Sequence, residues 1–134
     1  MTPAALSATP RELPALLARI PEFLAPDEAR ALSEAARTYA GRGAILEITP
    51  AADPTGYDQA IRDWRTPLRL LLILDPNPAA ADRAYDDWAH WIAGGGLLAL
   101  RSDTLHHRAL ATGKFRELTP AGGLHILQRI AACN

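Results

Sequence analysis

The chain has 134 residues, 49% of them hydrophobic, and a formal net charge of −1 from 14 basic and 15 acidic side chains. That length fits one domain with a real core. The near balance of charge gives no electrostatic reason to expect nucleic acid or an anionic membrane as partner.

Residues 1–8 read as a loose, alanine-rich lead-in, with no basic segment or long apolar core of a signal peptide. Thr9-Pro10-Arg11-Glu12 predicts a helix start: Thr9 can cap, Pro10 suits the first turn, and Glu12 can close a capping box. Pro14 and Pro21 keep that helix short. A stronger helix opens at Pro26-Asp27-Glu28, with acids where the dipole favours them. Leu32, Ala35, Ala36 and Tyr39 share one of its faces, and Gly41 ends it. Ala44 to Ile48 predicts a short buried strand, and Thr49 to Gly56 a loop. Tyr57 to Trp64 predicts a helix, broken by Thr66-Pro67.

Leu68 to Asp75 is the clearest strand of the chain, closing on an acid. Pro76-Asn77-Pro78 is a stiff turn. Helix follows from about Ala79 to Ile92, with Ala84, Tyr85, Trp88 and Ile92 on its inner face. Gly94-Gly95-Gly96 then leads as a tight connection into a strand, Leu97 to Leu100. This order is a βαβ unit, and it places Asp75 at the carboxyl end of a buried strand, where open α/β sheets hold ligands. Ser102-Asp103-Thr104 caps a short helix, Leu105 to Ala111, ended by Gly113. Phe115–Leu118 and Leu124–Ile130 flank turn-forming residues and predict a terminal hairpin. Cys133 is the single cysteine, so no internal disulfide forms, and a reducing, cytoplasmic setting fits. The longest apolar run, Leu70–Leu74, is far shorter than a membrane span.

In this order the elements resemble the class I S-adenosylmethionine-dependent methyltransferases. The nearest likeness is to the branch acting on small molecules and sugars. Ile45-Leu46-Glu47-Ile48 is similar to that branch's first strand, I-L-E-I-G, and the strand ending at Asp75 to its F-I-D-G-D-H-x-Y strand. Phe23-Leu24-Ala25-Pro26-Asp27-Glu28-Ala29 is similar to its lead-in helix, and the resemblance runs from about Ile20 to Ile130. It implies an α/β, reduced Rossmann-like fold: a mostly parallel sheet of about five strands, helices on both faces and a C-terminal antiparallel hairpin. It implies S-adenosylmethionine as cofactor and a small-molecule acceptor. Glu47 and Thr49 would then lie at the cofactor, Asp75 at cofactor and acceptor, and Asp103 or His106 would assist deprotonation.

The chain departs from the family in three places. Thr49, Pro50 and Ala51 stand where the family has a glycine-rich loop that lets backbone approach the cofactor. Thr49 to Pro67 is only 19 residues, too few for two further strands with their crossovers, and the acid that binds the ribose has no counterpart. Pro76-Asn77-Pro78 replaces G-D-H. These departures imply a shortened domain and a second reading: a catalytically inactive relative acting as a binding or scaffolding module or partner subunit. Missing strands would leave an open sheet edge, which points to a homodimer or a complex with a larger methyltransferase.

Each candidate residue also has an ordinary structural reading. Glu47 can cap a neighbouring backbone, and Asp75 can cap a turn or the helix after it. Asp103 can join Asp75 and Asn77 in an oxygen-rich, magnesium-type cluster, or cap the next helix. His106 is a candidate general base after the ligand-edge loop, but it and His107 are adjacent and point apart on a helix. His90 and His125 are too scattered in sequence to complete a zinc set, so no metal site is expected. Trp64, Trp88 and Trp91 suit stacking on an adenine but are by default core residues.

Overall fold

A computed structural model of the chain describes residues 6–50, 55–74, 77–118 and 122–130. It contains β1 (Leu6–Arg11), α1 (Leu13–Phe23), α2 (Pro26–Tyr39), β2 (Ala44–Pro50), α3 (Thr55–Asp63) and β3 (Leu68–Ile73). Then follow α4 (Pro78–Trp88), a 3-10 turn at Ala89–Trp91, β4 (Ile92–Leu100), α5 (Asp103–Ala111), β5 (Phe115–Glu117) and β6 (His125–Arg129). The six strands form one sheet in the order β1-β2-β3-β4-β6-β5.

The sheet corrects the expectation of a mostly parallel, five-stranded Rossmann-like array. It is mixed: β2·β3 and β3·β4 are parallel, whereas β1·β2, β4·β6 and β5·β6 are antiparallel. The physical reason lies at both ends. Residues 6–8, read as lead-in, belong to an added strand whose Leu6 is fully buried and pairs with Pro50. The Thr9-Pro10 pair that suggested a helix cap lies inside that strand. Helix α1 begins only at Leu13, with Glu12 at its N-cap, and it contains Pro21 rather than stopping there. At the other end β6 inserts antiparallel between β4 and β5.

Period-two alternation divides the strand side chains between two cores. Leu46, Ile48, Leu71, Ile73, Leu98, Leu100 and Leu127 face Tyr57 of α3, Ala84 and Trp88 of α4, and Leu105 and Ala109 of α5. Ile45, Leu70, Leu72, Leu97, Ala99 and Ile126 face Leu16 and Ile20 of α1 and Leu32 and Ala36 of α2. The sheet is thus sandwiched between two helical layers, and burial of both faces gives β3 its apolar run Leu70–Ile73.

The glycine run lies within β4 rather than before it. Leu68 pairs with Ile92 and Leu70 with Leu97, so β4 bulges between them. Gly95 takes φ +83°, and the bulged carbonyls are met by side chains: Arg69 Nη1 donates to Gly94 O at 3.0 Å and Gln128 Nε2 to Gly95 O at 3.0 Å. Among the described residues no helix is long and apolar enough to cross a membrane.

Candidate functional site

Glu47 sits on β2 with its side chain toward α1, on the face of Ile45. It is 1% exposed. Oε2 accepts from Arg11 Nε at 2.9 Å and Oε1 from Arg19 Nη2 at 3.1 Å. The result is an interior ion triad that ties the end of β1 and the middle of α1 to β2. Thr49 is half-buried and pairs with Ser7 of β1. Asp75 lies outside the described residues. Nearby Asn77 acts as the N-cap of α4, where Oδ1 accepts from Ala79 N at 2.9 Å and Ala80 N at 3.3 Å. A cavity of about 630 Å³ beside Arg11, Pro14, Arg42 and Gly43 opens at the start of β2, opposite the carboxyl ends of the parallel strands.

Asp103 and His106 are brought together, with two residues that spacing alone did not connect. Asp103 begins α5 directly after β4, and Ser102, the N-cap, accepts from Leu105 N at 3.2 Å. Neither Asp103 nor Thr104 caps α5, so Asp103 is left to reach across to the hairpin. His125 opens β6, opposite Leu100 of β4. It shares the face of Leu127, and Glu117 shares the face of Phe115, so both hairpin residues point at α5. His125 Nε2 lies 2.7 Å from Asp103 Oδ1. The rings of His106 and His125 stack with centroids 3.9 Å apart and planes 8° apart. His106 Nε2 lies 3.2 Å from Glu117 Oε1.

Electrostatics distinguish the members of this cluster. Burial, then the neighbouring His125, lowers the His106 pKa from its ordinary value, and Glu117 opposes that shift only in part. His106 therefore stands neutral at neutral pH. The hydrogen bond from His125 holds the Asp103 carboxyl below the usual range.

The other candidates have structural roles. Trp88 is fully buried, and its Nε1 donates to Tyr57 Oη at 3.0 Å, which in turn donates to Asp87 Oδ2 at 2.7 Å. Burial and the Asp87 carboxylate push the Tyr57 hydroxyl pKa well above its usual value. Trp64 packs edge-on against Trp88 at 5.7 Å. Glu28, read as an acid favoured by the helix dipole, also anchors the sheet edge. It is 4% exposed and takes Arg101 Nη1 and Nη2 at 3.0 and 2.8 Å, Ala25 N at 3.1 Å and Gly123 N at 3.0 Å. No protein-family model matches the chain.

Proposed function

We propose that this chain is a catalytically inactive relative of the class I S-adenosylmethionine-dependent methyltransferases that serves as a binding module. The kinship rests on Ile45–Ile48, on the strand leading to Asp75 and on the order of elements after it. The loss of methyl transfer rests on one observation: both oxygens of Glu47 are engaged by Arg11 and Arg19 in the interior. An acid serving a cofactor has to face open space, and this one is spent on holding β1, β2 and α1 together. Pro50, which follows Thr49 in the sequence, adds to the misfit, since a glycine there would let backbone approach a ligand. These residues do not fit S-adenosylmethionine.

The expected homodimer loses its main support. β1 covers the edge of β2, and Pro10 within β1 carries no N–H donor. The opposite edge, β5, is three residues long. Ile130 is the only large hydrophobic side chain exposed among the described residues, which leaves little apolar surface for a permanent homodimer seam.

The enzyme reading keeps one observation in its favour. A neutral His106 beside Asp103 is the state a general base needs. Calorimetry on the folded chain with S-adenosylmethionine and S-adenosylhomocysteine separates the two. The expected result is no saturable heat with either ligand up to millimolar concentration. Micromolar binding that Glu47→Ala abolishes, with the fold retained, overturns the inactive-relative reading in favour of the enzyme.

A further inference from the structure

At the carboxyl edge of the parallel strands three metal-ligating side chains converge. One ring nitrogen each of His106 and His125 and a carboxylate oxygen of Glu117 lie within 4.8 Å of one another. His106 Nε2 and His125 Nδ1 are buried; Nδ1 makes no hydrogen bond, and Nε2 has only the Glu117 carboxylate beside it, at 3.2 Å. His106 is 8% exposed, so solvent barely reaches its ring. The Asp103 carboxylate engages Nε2 of His125, so Nδ1 is the ring nitrogen left to take a ligand. A buried acceptor left unpaired costs about 1–3 kcal/mol. A cation among these atoms would turn mutual repulsion into attraction.

We propose that His106, Glu117 and His125 bind a first-row divalent transition metal of the zinc type, with Asp103 as a positioning residue. The proposal does not depend on kinship with methyltransferases. Two imidazole nitrogens and one carboxylate oxygen form a donor set for zinc-like ions, whereas magnesium and calcium take oxygen alone. A carboxylate on the far nitrogen of a ligating histidine fixes its tautomer and orientation, and Asp103 stands in that relation to His125. Three protein ligands leave a further position for water or a small molecule.

The stacked rings set one condition. A metal lies in the plane of each imidazole it binds, so two planes 8° apart and 3.9 Å between centroids must tilt apart to share one ion. Asp103 can follow that rotation, because its side chain is 84% exposed. Glu117, at 38%, gives the ion an entry from solvent.

The test uses the whole chain, stripped with a chelator and titrated with zinc against a chromophoric competitor. Cobalt is then added to read the visible bands of a four-coordinate site. A single equivalent should bind at micromolar zinc or tighter. His125→Ala and Glu117→Gln should each weaken binding at least about 100-fold, and Asp103→Asn by about 10- to 100-fold. Glu117 is partly exposed on a short edge strand, so its variant keeps the fold if His106→Ala does not, as circular dichroism will report. His107→Ala, altering an exposed neighbour, should leave affinity unchanged. Binding only at millimolar zinc, binding indifferent to His125→Ala and Glu117→Gln, or binding lost in His107→Ala each overturns the proposal.

Discussion

Glu47 illustrates how a buried acid can look functional and be structural. In sequence it is one charge inside an apolar strand, Ile45-Leu46-Glu47-Ile48. Its partners lie 36 and 28 residues away, on β1 and α1, so no local pattern announces them. Removing one member of a buried ion pair costs about 3–5 kcal/mol. Here Arg11 and Arg19 are 27% and 38% exposed and can regain water, so Glu47→Ala should cost about 2 kcal/mol. Urea unfolding checks this through a lower midpoint at unchanged slope. A loss under about 0.5 kcal/mol, the range of ordinary surface substitutions, would remove the structural role. His125 was missed in the opposite direction. Ligand spacing along the chain carries no signal for it, but strand alternation does: its parity matches Leu127, and that of Glu117 matches Phe115, placing both toward α5.

At the scale of elements, legibility followed the length of the apolar pattern. The strand starting at Leu68 and the helix after it are read correctly in kind, because burial on both faces leaves an apolar run, Leu70–Ile73, after Arg69. β1 was missed because Ser7, Thr9 and Pro10 look like loop and cap residues, and only pairing with β2 makes them a strand. The Gly94–Gly96 run was read as a connection because glycine weakens strand patterns, yet it forms the bulge inside β4. Two glycines give opposite expectations. A Cβ on Gly96 would meet Ala93 O at 2.9 Å and Leu68 O at 3.0 Å, backbone atoms that cannot swing away. Gly56, near the start of α3, has nothing within 4 Å of such a carbon. Gly96→Ala should therefore destabilise the fold by about 1–3 kcal/mol. Gly56→Ala should stabilise it by about 0.5 kcal/mol through helix propensity and a less flexible unfolded chain. Thermal unfolding of the two variants in one buffer reads both signs, and equal shifts would contradict the bulge geometry.

For the molecule as a whole, the two buried ionisable groups with resolved shifts at the carboxyl edge make acid the weak side of its stability. Arg101, first by its hydrogen bonds, holds Glu28 below the ordinary carboxylate value of 4.5. The unfolded chain takes up that proton first, so this contribution is complete above pH 4.5 and is lost as the pH falls through it toward the folded value. His106 is lowered from 6.5 mainly by burial, so it resists protonation in the fold while the unfolded chain accepts the proton. Its contribution is complete above pH 6.5 and is lost below that value. Stability should therefore fall in two stages on acidification, the first from His106 and the second from Glu28. His106→Phe keeps an aromatic ring against His125 and cannot titrate, so it should flatten the first stage and leave the second. Glu28→Gln should flatten the second at a cost of about 2 kcal/mol at neutral pH, where Arg101 loses a charge-assisted partner. Urea unfolding free energies measured from mildly alkaline to about pH 4, with chelator present to keep metal from His106, read both slopes directly. A stability that rises as the pH falls from about 6.5 to 5 would contradict a His106 that resists protonation in the fold.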